Sequence, residues 1–128
     1  MLPITSVYAG FLALLFIALS WRVIVVRRGA RVSLGDGENK DLRQRARAHG
    51  NFAEYTPMGL VLLACVELQG APAMAVHLLG LMLLAGRGLH ARAFWTHPMN
   101  FTFRTWGMLL TFGMLALGGV GLILHGLF

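Results

Sequence analysis

Arg43-Gln-Arg-Ala-Arg-Ala-His-Gly-Asn-Phe-Ala-Glu-Tyr-Thr-Pro57 leads three arginines, a histidine, an asparagine and a glutamate straight into Met58-Gly-Leu-Val-Leu-Leu-Ala-Cys-Val66, which carries no charge. The uncharged run suits hydrocarbon; the string before it does not. An ionisable group within a membrane span costs on the order of 3 kcal/mol or more unless it is paired or hydrated. Part of the polar string therefore faces protein. At about 100° per residue, Arg43, Arg47, Asn51 and Glu54 fall on one helical stripe, with Tyr55 at its margin and Arg45 and His49 on the other side. Cations, an amide and a carboxylate line up on one helix of a bundle.

Outward from this segment, apolar blocks close to the roughly 20 residues needed to cross a bilayer recur at about 4–26, 48–68, 73–93 and 104–127. The chain has 128 residues, 57% hydrophobic and 12% charged, too few charges to clothe a water-soluble domain. Strand-period alternation is absent, which argues against a lipid-facing barrel. The expected fold is an all-α membrane protein, a single four-transmembrane-helix domain spanning 1–128. Met1-Leu-Pro-Ile-Thr5 has no basic n-region and no cleavage pattern follows, so the first block is expected to be a retained span. Cys65 has no partner for a disulfide within the chain and is read as packing.

Charge sets the expected orientation. Arg27, Arg28, Arg31, Lys40, Arg43, Arg45 and Arg47 crowd the first connection and Arg87, Arg92 and Arg104 flank the third, while the second connection and both termini carry no arginine or lysine. Loops one and three are expected to be cytoplasmic and both termini outside. These cations sit beside spans and show no nucleic-acid-binding signature, so anionic lipid or an anionic small molecule is the expected partner, not nucleic acid. Gln69-Gly-Ala-Pro72 reads as a tight turn joining antiparallel second and third helices. Trp95 and Trp106 read as interface anchors, and the glycines of the fourth block as sites of close helix approach.

Glu54 needs a partner. Arg47 lies two turns earlier, beyond the i,i+3 and i,i+4 spacings of direct pairing, so Asn51 between them, or an arginine from another helix, is expected to serve it. On spacing alone an interhelical ion pair that fixes packing accounts for the stripe as well as a ligand site does. Glu67 reads as a simple interfacial charge. In the third block Arg87, His90, Ala91 and Phe94 share a stripe, and Arg104 opens the fourth. Cations at this depth outnumber Glu54, which suits an anion that also carries an ammonium group. Metal and hydrolase motifs are absent, and no metal is expected.

The string Arg47-Ala-His-Gly-Asn-Phe-Ala-Glu-Tyr-Thr-Pro57 resembles the R-x-x-x-N-x-x-E-Y-x-P entry to the second helix of the MAPEG family, the membrane-associated proteins in eicosanoid and glutathione metabolism. Arg27-Arg28-Gly-Ala-Arg31-Val-Ser33 is similar to that family's basic end of helix one, and the likeness covers essentially the whole chain. The resemblance implies a homotrimer that binds glutathione between subunits near the cytoplasmic face. By position it implies that Arg47, Asn51, Glu54 and Tyr55 hold the peptide, helped by Arg27 and His90. Arg104 is similar to the arginine aimed at the glutathione sulfur, with Arg28 as the alternative. A cation there would favour the thiolate, the reactive nucleophile.

The implied activity is glutathione transferase or peroxidase chemistry on hydrophobic or lipid substrates. His90 and Phe94 stand where eicosanoid-forming members carry tyrosines, which argues against an eicosanoid substrate. The short second turn resembles compact bacterial relatives and implies a bacterial inner membrane. The competing readings are a non-catalytic membrane binding or structural protein that keeps the fold and, less well supported, a small transporter.

Overall fold

In the computed structural model all 128 residues are described, as helices α1 (Pro3–Ala30), α2 (Lys40–Leu68), α3 (Ala73–Ala93) and α4 (Phe101–Leu127). Capping chemistry, more than hydropathy, sets their ends. Asn39 accepts a hydrogen bond from the Leu42 N–H at 3.0 Å, so α2 begins at Lys40 rather than near Ala48 and takes in the whole arginine-rich string. Asn100 does the same for α4, accepting from the Phe103 N–H at 3.0 Å. Between α2 and α3, Gly70 adopts φ +78°, a left-handed conformation that glycine takes at little cost, and Pro72 precedes α3.

Glu67 has a definite task rather than a general interfacial one. Its carboxylate accepts from the Ile4 N–H at 2.8 Å and the Thr5 N–H at 2.7 Å, capping the first turn of α1 from the end of α2. A negative charge there complements both the free N–H groups and the helix dipole.

Three helices, α1, α3 and α4, are long and apolar enough to cross a membrane. The fourth, α2, runs for 29 residues but is polar through its first half. Exposed Phe11, Leu14, Ile17, Leu81, Phe112 and Leu117 give the bundle the apolar exterior that lipid contact requires. Inside, Leu12, Leu19, Leu63, Val76, Leu83 and Met114 form the fully enclosed core.

Helix α1 packs on α2 and α3, α4 packs on the same pair, and α1 and α4 do not touch. The closest approach is between α3 and α4. A Cβ on Gly107 would lie 2.6 Å from the His90 nitrogen and 2.7 Å from the Gly86 oxygen, so the two backbones meet with no side chain between them. Of the other α4 glycines singled out in the sequence, Gly118 is buried whereas Gly119 and Gly121 face open space.

The first and third connections lie at one end of the bundle and are joined to each other. Gln44 Nε2 donates to the Thr96 carbonyl at 2.9 Å, and Asp41 Oδ1 meets Arg45 Nε at 2.9 Å and His97 Nε2 at 3.2 Å. The Arg22 guanidinium lies 3.7 Å over the Trp95 ring, and its Nη2 donates to the Phe94 carbonyl at 3.2 Å. Burial pushes the Asp41 carboxyl up, but the hydrogen bonds and charges of Arg45 and His97 outweigh it and hold the group below its ordinary value of 3.8. The contribution of that carboxylate is therefore present above its ordinary value and lost as pH falls through the lower folded one.

Gly107→Ala should overpack the α3–α4 crossing and destabilise the protein by about 1–3 kcal/mol. Gly88→Ala, where a Cβ meets nothing within 4 Å, should hold or raise stability. Thermal unfolding in detergent checks both, and an equal midpoint for the two variants would contradict the crossing.

Candidate functional site

Arg87, on α3, is 1% exposed and is the largest fully enclosed side chain in the protein. A guanidinium offers five N–H donors and no acceptor, so each neighbour that meets it must accept. Its Nη1 donates to Asn51 Oδ1 at 2.7 Å and more weakly to the Asn51 carbonyl at 3.4 Å. Its Nε donates to Thr111 Oγ1 at 3.0 Å, and Nη2 meets the Met108 sulfur at 3.3 Å. The Tyr55 ring lies 5.6 Å from the guanidinium carbon, within range of a cation–π attraction. One cation thus joins α2, α3 and α4, and none of its partners is a carboxylate.

Asn51 is correspondingly turned inward, at 7% exposure. The helical stripe places it beside Arg47 and Glu54, but its carbonyl oxygen is taken by Arg87, leaving the amide N–H groups as what it can offer a ligand. Asn51 does not stand between Arg47 and Glu54 as the spacing suggests. Those two meet directly, Arg47 Nη1 lying 3.7 Å from Glu54 Oε1, and no arginine of another helix pairs with Glu54. The long arginine side chain covers the two turns that helical spacing alone leaves open.

The contact is too long for a hydrogen bond, and the side chains are 61% and 55% exposed. Both therefore keep hydrogen-bonding capacity on the outer face of α2. Arg43, which shares the stripe, is drawn off to Asp36 in the first connection. The Arg43 guanidinium holds the Asp36 carboxyl below its ordinary range through that hydrogen bond.

Tyr55 is half-buried between the Arg87 guanidinium and the Phe112 ring, which it meets edge-on at 5.6 Å. His90 is buried against Phe94, ring centroids 5.0 Å apart, within electrostatic range of Arg87, Arg104 and Arg47. Arg104 lies in the first turn of α4, half-buried, with its guanidinium 5.6 Å from the Phe101 ring. Asn51, Tyr55, Arg87 and His90 thus gather where α2, α3 and α4 meet, with Arg47 and Arg104 within electrostatic range of His90 and Glu54 held beside Arg47 on the exposed side of α2.

Two of the residues singled out in the sequence do not join this group within one chain. Arg27 spends its Nη1 on the Gly35 carbonyl at 2.7 Å, and Arg28 is exposed near the end of α1. Both sit on the helix that does not touch α4. The centre of the site, Arg87, is the residue that sequence reasoning undervalued. Its signal was present as an arginine inside an apolar span, which must find acceptors on neighbouring helices. No three His, Cys, Asp or Glu side chains converge as a metal set would.

Chemically, the arrangement is a cationic surface holding one carboxylate, backed by an enclosed cation whose charge no acid cancels. It can receive a small anion at Arg47 and an ammonium or amide group at Glu54.

The chain is 39% identical over 114 residues to "Inner membrane protein YecN" of Escherichia coli strain K12, covering 89% of this chain and 86% of that protein. The same figures hold for the protein of that name from Escherichia coli O6:H1 strain CFT073. No solved structure matches the chain. Residues 5–124 match the MAPEG family, a stretch that takes in the α2 polar string, the Arg87 centre and Arg104, and the chain belongs to that family.

Proposed function

We propose that this protein is a glutathione-dependent membrane transferase or peroxidase, working as a homotrimer in a bacterial inner membrane with loops one and three on the cytoplasmic side. The observation that carries the reading is the Arg47–Glu54 pair, at 3.7 Å and largely exposed, on a helix that runs on into apolar sequence. Charged groups that stay this exposed beside a span keep hydrogen-bonding capacity for a polar occupant. A tripeptide thiol with two carboxylates and one ammonium meets both members: Arg47 takes a carboxylate and Glu54 the ammonium. Asn51 adds its amide N–H groups, and Tyr55 and His90 wall the site.

Arg104 then stands beside the sulfur. A guanidinium there lowers the thiol pKa from about 8.5, and each unit corresponds to about 1.4 kcal/mol. The thiolate attacks an electrophilic carbon of a hydrophobic substrate and forms a C–S bond. Either a leaving group departs with its bonding pair or, at an activated double bond, the π pair shifts to the neighbouring carbon and takes up a proton. In the peroxidase alternative, two thiols supply the two electrons and two protons that reduce a hydroperoxide to an alcohol and water, and are themselves joined as a disulfide. Arg27 and Arg28 reach such a site from α1 of a neighbouring copy. A non-catalytic membrane protein that keeps the bundle is the second reading, favoured by the use of Asn51 as an internal acceptor for Arg87.

Glutathione binding to the detergent-purified protein, followed by calorimetry and by thiolate ultraviolet absorbance, separates the two. Arg47→Ala and Glu54→Gln should each weaken binding by about ten-fold or more, a charged hydrogen bond being worth about 1.5–3 kcal/mol. Their thermal midpoints should barely move, because exposed ion pairs contribute about 0–1 kcal/mol. Asn51→Ala should behave differently, lowering stability by about 1.5–3 kcal/mol as well as affinity, because it strips the best acceptor from an enclosed guanidinium. Unchanged affinity in both of the first two variants would remove the site and leave the second reading. Arg104→Ala should lower turnover with little change in affinity; intact turnover would transfer the sulfur-facing role to Arg28.

A further inference from the structure

The N–H donors of the enclosed Arg87 guanidinium are served unequally. Nη1 and Nε have oxygen acceptors, the Asn51 side chain at 2.7 Å and the Thr111 hydroxyl at 3.0 Å. Nη2 has one partner, the Met108 sulfur at 3.3 Å. A thioether is a weak acceptor, so the cation is least well held on this side. An under-served charge away from water is costly.

On the same side the centre opens outward. Asn51 and Thr111 are buried, whereas Met108 is partly exposed. Arg104, Met108 and Thr111 share one face of α4 at successive helical turns, so Met108 lies on that face between the half-buried Arg104 and the enclosed Thr111. Of the seven methionines, Met108 alone offers its sulfur to a hydrogen-bond donor. Met114 is fully enclosed, and Met58 and Met74 stand on the exterior at 56% and 80% exposure.

We infer that Met108 is an oxidation site for hydrogen peroxide or a small organic hydroperoxide, and that its sulfoxide holds Arg87 more firmly than the thioether does. A sulfur lone pair attacks the outer oxygen of the hydroperoxide, and the S–O bond forms as the O–O bond breaks. The departing oxygen takes up the proton and leaves as water or an alcohol; the sulfur is oxidised by two electrons and the peroxide reduced by two. Sulfoxide formation ordinarily disrupts a packed interior by placing a polar group among apolar ones. Here the new oxygen arrives opposite a cation short of an acceptor and receives a charge-assisted hydrogen bond from Nη2. The effect on stability is therefore reversed in sign, and α4 is tied more tightly to α3. The modification needs neither glutathione nor turnover and stands apart from the reading above.

The test treats the full-length protein in detergent with hydrogen peroxide, without any thiol, and follows oxygen uptake by peptide mass spectrometry and stability by thermal unfolding. Met108 should be oxidised along with the exposed Met58 and Met74. The midpoint should shift upward by about 4 °C relative to Met108→Leu treated in the same way, a comparison that subtracts the other methionines. Met108→Gln, which sets an amide oxygen on a side chain of similar length, should raise the midpoint with no oxidant present. A Met108 that stays reduced once Met58 and Met74 are converted would overturn the inference. So would a treatment shift no more positive than that of Met108→Leu, or a Met108→Gln variant no more stable than the unaltered protein.

Discussion

A guanidinium enclosed where three helices meet governs this structure. Arg87 is held by neutral acceptors, Asn51 Oδ1 at 2.7 Å and Thr111 Oγ1 at 3.0 Å. An acid partner would have cancelled its charge; these do not. The desolvation of Arg87 is offset by hydrogen bonding, while its positive field stays available to whatever lies on the outer face of α2. Thr111 takes part twice, accepting from Arg87 and donating to the Gly107 carbonyl at 2.8 Å. Such linked hydrogen bonds polarise one another, so the cation is tied into the backbone of α4 as well as to its side chains.

That arrangement needs α3 and α4 to approach more closely than side chains normally allow. Gly86 and Gly107 permit it, each lying where a Cβ would press on the other helix's backbone. The same crossing delivers Thr111 to Arg87, sets His90 against the Gly107 turn and places Arg104 one turn before it. Packing and charge are therefore one feature here. Widening the crossing withdraws an acceptor from the guanidinium and moves the first turn of α4 away from α2.

The four helices were legible because the apolar blocks approach membrane length, and the family because Arg47 to Pro57 matches a spaced pattern of unlike polar residues. Less legible were the cross-helix partners. Helical periodicity gives the direction in which Asn51 leaves α2 but not that Arg87 arrives from α3 to meet it. The Arg47–Glu54 contact escaped for a related reason, since spacing rules describe backbone geometry whereas arginine reaches well beyond its own turn. Glu67 looked like an ordinary interfacial charge because its partners are backbone N–H groups of α1, which have no sequence signature. The early start of α2 was readable in principle from Asn39, but the hydropathy of the segment drew attention to Ala48.

Helices α1 and α4 lie on different sides of the α2–α3 pair and never touch. Arg27 and Arg28 ride on the first and Arg104 on the last, and no contact within one chain joins them. In the homotrimer we propose, one copy would give α2 and α4 to the glutathione site and another the basic end of α1. The exposed Arg47–Glu54 pair would then be enclosed only on assembly, when lower dielectric strengthens each charge's hold on the guest. Binding and association would then be linked through that surface, because a ligand that favours an assembled form stabilises it by mass action. The isolated chain supplies the enclosed cation and its frame, and the charges that would grip a substrate remain on its outside.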